Sequence, residues 1–245
     1  MSENEITPES GPDRFPDEAV TRLEPDAKEI IARYPRARSA LLPLLHLVQA
    51  EEGHVSQAGM AFCADQLDLT MAEVNAVATF YTMYRRRPGG DYQVGVCTNT
   101  LCAVMGGDEI YSSLKEHLDL DNGETTEDGK VTLEHVECNA ACDFAPVVMV
   151  NWEFFDHQTP DTARELVDGL RLGEDVVPTR GAESLCTWQE ASRVLAGFDD
   201  GRGGEGVQAK GPSLAGLKLA RERGWTAPDP NDLPSRPSEE EGGQQ

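Results

Sequence analysis

No apolar run in this sequence approaches the roughly 20 residues that a membrane-spanning helix needs, so insertion into a bilayer is not expected. Basic side chains are also scarce: 21 Lys and Arg stand against 44 Asp and Glu, a formal net charge of −23. That balance argues against nucleic acid, whose phosphates demand clusters of Lys and Arg, and against an anionic membrane surface as a direct partner. The opening MSENEITPES lacks the basic and apolar regions of a signal peptide, which reads as a cytoplasmic protein. Gly-x-Gly-x-x-Gly and phosphate-loop patterns are missing, so the chain is not expected to bind a nucleotide by itself. There is no Cys-x-x-Cys, which removes a thioredoxin-type redox pair, and the five histidines show no spacing that pairs them.

What is present divides the chain into four stretches. Residues 1–24, rich in Pro, Asp, Glu and Ser, read as a flexible N-terminal arm. Residues 25–88 carry helical periodicity. Pro25 suits the first position of one helix, Ser39 the cap of a second bearing Leu41, Leu44, Leu45 and Val48, and Ser56 the cap of a third through Leu67. Thr70-Met71-Ala72-Glu73 is a capping box opening a fourth helix, with Val74, Val77 and Phe80. Apolar helix faces need partners, so a small helical bundle is expected.

From 91 to 175 the signals alternate. Tyr92 to Thr98 reads as a strand, Asp108 to Leu118 as a helix, Val131 to Val136 and Val147 to Trp152 as strands, with a short extra one near Phe154. Thr159-Pro160-Asp161 opens a last helix. The fold class is therefore α+β, a small open sheet with helices packed on it behind an N-terminal bundle. Residues 176–245 read as an extended C-terminal tail, broken only by a short helix at Ser213 to Arg223 with Leu214, Leu217 and Leu219, and disordered by composition from Pro228.

Six cysteines in a reducing compartment are read first as metal or redox ligands. Four fall in two close pairs, Cys97-x4-Cys102 at the end of the first strand and Cys138-x3-Cys142 in the loop before the apolar strand. A 2Fe-2S rhomb needs four thiolates, two per iron, and two short loops set side by side by a sheet meet that need. Small residues at Ala103, Gly106, Gly107, Ala140 and Ala141 leave backbone N–H groups free to approach sulfur. Structural zinc also takes four cysteines, though its pairs are mostly two residues apart, so spacing favours the cluster without deciding it. Cys63, among apolar residues at helical spacing, reads as a small hydrophobe, and Cys186 stands alone; neither is expected to bind metal. His135 reads as a strand residue rather than a ligand. Asp143 reads equally as a turn residue or a neighbour of the cluster.

Four stretches carry a family likeness: Ser39-Ala40-Leu41-Leu42-Pro43-Leu44-Leu45-His46-Leu47, Ala78-Thr79-Phe80-Tyr81-Thr82-Met83-Tyr84, Val96-Cys97-Thr98-Asn99-Thr100-Leu101-Cys102, and Cys138-Asn139-Ala140-Ala141-Cys142-Asp143-Phe144-Ala145-Pro146-Val147. With them the chain resembles the family of small thioredoxin-like 2Fe-2S subunits of bacterial NADH-quinone oxidoreductase, respiratory complex I. The resemblance implies a helical bundle followed by a thioredoxin-like 2Fe-2S ferredoxin domain, with the cluster held by Cys97, Cys102, Cys138 and Cys142 and no catalytic residue of its own. It also implies docking on a larger subunit carrying flavin mononucleotide and the NAD site, and a location peripheral to the inner face of the cell membrane through the complex. The same fold and cluster occur in related subunits of NAD-reducing hydrogenases and NAD-dependent formate dehydrogenases. A zinc-stabilised interaction module and a free-standing ferredoxin remain as other readings.

Overall fold

The first helix of the computed structural model, which describes residues 12–207 and 209–227, begins earlier than its proline suggests. Helix α1 spans Asp17–Ala32 and lies partly in the stretch expected as a flexible arm, with Pro25 inside it rather than at its start. Proline in a helix interior costs about 3 kcal/mol. The stripe Ala19, Leu23, Ala27 and Ile30 is buried along one face, and Asp17 and Glu18 in the first turn complement the helix dipole, which together offset that loss.

A 3-10 turn at Ala37–Ala40 leads directly into α2 (Leu41–Glu52), so Ser39 is not its cap and Pro43 sits harmlessly in the first turn. Helix α2 is the centre of the bundle, with seven of its residues buried, and ends on Gly53 at φ +77°. Around it pack α3 (Gln57–Leu67), capped by Ser56, whose hydroxyl accepts from the Gly59 N–H at 2.9 Å, and α4 (Met71–Phe80) behind its Thr70–Glu73 capping box.

Four strands form the sheet: β1 (Tyr92–Cys97), β2 (Val131–Val136), β3 (Val148–Val150) and β4 (Glu153–Phe155), in the order β2-β1-β3-β4. β1 and β2 are parallel, with Val94 opposite Leu133 and Cys97 opposite Val136. Parallel neighbours need a crossover. Here it is α5 (Thr100–Val104) and α6 (Gly107–Leu118), of which α5 has no counterpart among the expected elements. β3 runs antiparallel to β1, and β3 and β4 are joined by Asn151-Trp152, both at positive φ, +47° and +75°. A two-residue turn of this kind favours Asn-Gly. Trp152 in the second place costs about 1–2 kcal/mol of backbone strain.

Helix α7 (Pro160–Leu172) opens on the expected Thr159 cap and packs with α6 on one face of the sheet. Val94, Val96, Leu133, Val148 and Val150 meet Ile110, Leu114, Val167 and Leu170 there, and each such side chain contributes about 1.5–3 kcal/mol by leaving water.

Within the span expected as an extended tail, residues up to Val207 are built into the same compact unit, Met1–Gln208. Arg180 pairs with buried Asp156, and α8 (Trp188–Leu195) lies on α2 behind a Thr187–Glu190 capping box. A buried hydrogen-bond set ties it down. Gln49, fully buried, accepts the Arg85 N–H at 2.7 Å and donates to Met83 O at 3.2 Å and to Ser192 Oγ at 3.1 Å. The Trp188 indole donates to Gly53 O at 3.0 Å, and the Trp188 N–H to Asp91 O at 2.7 Å. Helix α8 thereby touches both the bundle and the start of β1.

The second unit, Ala209–Gln245, contains α9 (Gly211–Glu222), close to the helix expected at Ser213 to Arg223, with Leu214, Leu217 and Leu219 exposed. The expectations for residues 1–11 and from Pro228 onward lie outside the described residues.

Two consequences are measurable. Gln49→Leu strands the Arg85 N–H and the Ser192 hydroxyl in a buried site, so urea unfolding should show a loss of about 2–3 kcal/mol. His46 is buried against Tyr84, with ring centroids 4.8 Å apart and an unpartnered Nδ1, and burial lowers its pKa from 6.5 to about 4. The unfolded chain therefore takes up a proton first as pH falls. Stability contributed by neutral His46 is complete above pH 6.5 and is lost as pH drops towards 4, by about 3 kcal/mol in all. His46→Leu should flatten that part of the pH–stability curve measured by urea unfolding.

Candidate functional site

The parallel pairing of β1 and β2 brings their C-terminal ends to the same edge of the sheet, and both cysteine pairs follow from those ends. Cys97 is the last residue of β1 and Cys102 lies in α5, whereas Cys138 follows β2 by two residues and Cys142 opens a 3-10 turn, Cys142–Phe144. Cys97 and Cys102 are buried; Cys138 and Cys142 are exposed. The four differ in setting because the first pair hangs from the sheet interior and the second from a surface loop.

Cys97, Cys102, Ala141, Phe144, Ala145 and Val147 form a small apolar cluster of their own. Burial pushes the Cys102 thiol up to about 11, against the lowering pull of the Val147 backbone; neighbouring Cys97 and Cys142 add to the rise because like charges would accumulate. The Cys138 sulfur accepts the Ala140 N–H at 3.2 Å, a contact made possible by Ala140 at φ +51°. Among the described residues, no three His, Cys, Asp or Glu side chains stand close enough together to hold a metal ion.

The donor set fits a binuclear iron–sulfur group. Two loops that leave the same edge of the sheet supply a cysteine pair each, as two thiolates per iron require, and the Ala140 N–H stands 3.2 Å from the Cys138 sulfur. The close approach behind the first loop fits as well. A Cβ on Gly107 would meet Cys97 O at 2.5 Å and the Cys102 carbonyl at 2.9 Å, so only glycine lets α6 begin this close to the loop.

The second loop is held by contacts that sequence reasoning missed. The His157 N–H donates to Phe144 O at 2.9 Å, and the Gln158 N–H to Pro146 O at 3.0 Å, across the cis Ala145–Pro146 peptide. Arg180 lies over the Phe154 ring at 3.8 Å and the Phe144 ring at 4.9 Å, fixed by Asp156 at 3.0 Å. A lone Arg two residues after a proline carries no sequence signal for this; Thr187-Trp188-Gln189-Glu190, a legible capping box, was the available clue that the region folds.

The remaining candidates lie elsewhere. Cys63 sits fully buried in α3 within the bundle core, its thiol pushed up by burial. Cys186 is half-buried beside Arg202. The His135 ring packs on Tyr111, with centroids 5.7 Å apart, and Asp143 lies exposed in the Cys142 turn.

Gly107→Ala should force the Cys97–Cys102 loop off α6, and thermal or urea unfolding should register a loss of about 1–3 kcal/mol, whereas Gly123→Ala, with open space around it, should lose less despite its positive φ.

Residues 27–171 match the family model described as thioredoxin-like [2Fe-2S] ferredoxin. The E-type subunit of NADH-quinone oxidoreductase from Mycobacterium tuberculosis (strain H37Rv) is 63% identical over 226 residues, 92% of this chain and 89% of that protein. Its namesake from Rickettsia bellii is 38% identical over 148 residues, 59% of this chain and 89% of that protein. Among solved structures, an NAD+-reducing [NiFe]-hydrogenase in the air-oxidized state is similar over 54% of this chain and 23% of its own, at 19% identity and a TM-score of 0.49. The chain belongs to the thioredoxin-like [2Fe-2S] ferredoxin family and, within it, to the E-type subunits of NADH-quinone oxidoreductases.

Proposed function

We propose that Cys97, Cys102, Cys138 and Cys142 hold one 2Fe-2S cluster, and that this chain serves as the electron-transfer subunit beside a larger one bearing flavin mononucleotide and the NAD site. The observation that carries the reading is the arrival of both cysteine pairs at one end of parallel neighbours β1 and β2. When bound, such a cluster takes up and releases one electron at a time, at potentials of about −700 to +450 mV across the class. Hydride chemistry is two-electron chemistry, so a flavin on the partner is the natural intermediary, and the lack of a nucleotide motif here fits that division.

The chain's own residues do the positioning. Gly107 lets α6 close on the first loop, Ala140 turns its N–H towards Cys138, and Phe144, Ala145 and Val147 keep water from the buried side. The formal charge of −23 opposes added negative charge and should hold the potential low. In this reading residues 91–175 carry the cluster, and residues 25–88 supply docking surface. No described helix is long and apolar enough to cross a membrane, so attachment to the inner face of the cell membrane would come through partner subunits.

Anaerobic purification followed by iron, sulfide and zinc analysis, with electron paramagnetic resonance after dithionite reduction, tests this. Two irons, two labile sulfides and a spin-half reduced signal are expected, abolished or altered by Cys97→Ser and Cys138→Ser and unchanged by Cys63→Ser. Stoichiometric zinc with no iron after anaerobic reconstitution would overturn it.

A further inference from the structure

After Val177 the chain returns to the sheet edge. The Thr179 N–H donates to Phe154 O at 2.9 Å, the Asp156 N–H donates to the Thr179 hydroxyl at 2.9 Å, and Arg180 makes an antiparallel bridge with Phe154 of β4. The bridge fixes where the Arg180 side chain goes. Its guanidinium carbon lies 3.8 Å from the centroid of the Phe154 ring and 4.9 Å from that of Phe144. Phe144 belongs to the apolar cluster that encloses Cys97 and Cys102, and Phe154 packs against that cluster. The cation therefore touches two rings that are themselves part of the cysteines' surroundings. Arg180 stands beyond residues 27–171, the stretch matched by the family model, so this contact is supplied by the C-terminal sequence.

Both members of the Arg180–Asp156 pair are out of water. Their side chains are 11% and 4% exposed, and Arg180 Nε donates to the two carboxylate oxygens at 3.0 and 3.2 Å. Arg180 Nη2 is buried without a hydrogen-bond partner, so among the described residues the cation is answered by one carboxylate and by ring faces. A buried ion pair is a poor device for stability alone, because desolvating two charges costs about as much as their attraction returns, and apolar side chains of similar size pack as well. What charge adds at this place is a field. Away from water that field is weakened little by solvent or salt. A 2Fe-2S cluster gains one negative charge on reduction, and its potential follows the net charge and burial of its surroundings. A buried cation one ring away favours the reduced form, and a buried carboxylate opposes it.

We propose that the buried Arg180–Asp156 pair sets the reduction potential of the cluster, Arg180 favouring the reduced form across the Phe144 and Phe154 rings and Asp156 opposing it. The inference rests on the cluster reading above and adds which side chains beyond the cysteines tune the cluster, and with what sign.

The test is a redox titration of the anaerobically purified, loaded full-length chain, followed by electron paramagnetic resonance, for the parent, Arg180→Met, Asp156→Asn and the double variant. Poised at the parent's midpoint, Arg180→Met should lower the reduced-to-oxidised ratio and Asp156→Asn should raise it, each by at least about threefold, where tenfold corresponds to about 59 mV for one electron. The double variant, neutral on both sides, should lie between the two. Opposite signs are what a purely structural role does not produce, since a loosened loop has no reason to shift the potential one way for one partner and the other way for its mate. Shifts of the same sign in both single variants, or a shift below threefold in either, would overturn the proposal and leave the cluster reading intact. Should Arg180→Met strand Asp156 and fail to take up iron, the double variant decides: its ratio should fall at least threefold below that of Asp156→Asn, and a smaller difference would overturn the proposal. A parent that carries zinc and no iron would overturn the cluster reading and this inference together.

Discussion

Parallel pairing of β1 with β2 is the constraint on which the site depends. In an antiparallel hairpin, the end of one strand meets the start of the next, and cysteines following the two strands would lie at opposite edges. The crossover through α5 and α6 reverses the chain between them, so Cys97 and Val136 end opposite one another and both cysteine loops leave from one edge. The cost of that topology is a connection that must itself be buried. Ile110, Leu114 and Leu118 of α6 supply the burial, and Gly107 allows the helix to start hard against the Cys97–Cys102 loop.

The two loops are stabilised by different means. Cys97 and Cys102 are enclosed by apolar side chains, and that burial pushes the Cys102 thiol up. Cys138 and Cys142 are exposed, and their loop is organised instead by backbone hydrogen bonds from His157 and Gln158 and by the Arg180–Asp156 pair beneath Phe144. One pair is therefore set by packing and the other by polar anchoring, from a residue nearly forty positions downstream. The region after Gly173 belongs to the working structure: it holds the second cysteine loop through Arg180 and the bundle through α8. The alignment with the Mycobacterium tuberculosis relative covers 92% of the chain and so includes most of this region, whereas the match to the Rickettsia bellii relative covers 59%.

Much of this is legible in the sequence, because the relevant signals are local. Capping boxes at Thr70 and Thr159, the alternation of Val131 to Val136 and the close cysteine pairs are properties of a few neighbouring residues, and the elements they announce lie where expected. Local signals mislead where burial outweighs them. Pro25 reads as a helix start, yet the Ala19–Leu23–Ala27–Ile30 stripe carries α1 through it; Ser39 reads as a cap, yet a 3-10 turn delivers the chain straight into α2. Helix α8 has only eight residues, and its burial depends on Gln49 and Gly53, more than a hundred positions away.

By itself, then, the sequence determined the α+β class and the two close cysteine pairs, and it favoured a 2Fe-2S cluster over zinc without deciding between them, because residue type and short spacing reach that far. Only the tertiary structure decided that Cys97 and Cys102 are buried while Cys138 and Cys142 face outward, that Arg180 lies over Phe144 of the second cysteine loop, and that α8 packs on the bundle. The reason is distance along the chain. Burial and polar satisfaction are set by what the fold brings from far away, and no local pattern encodes that.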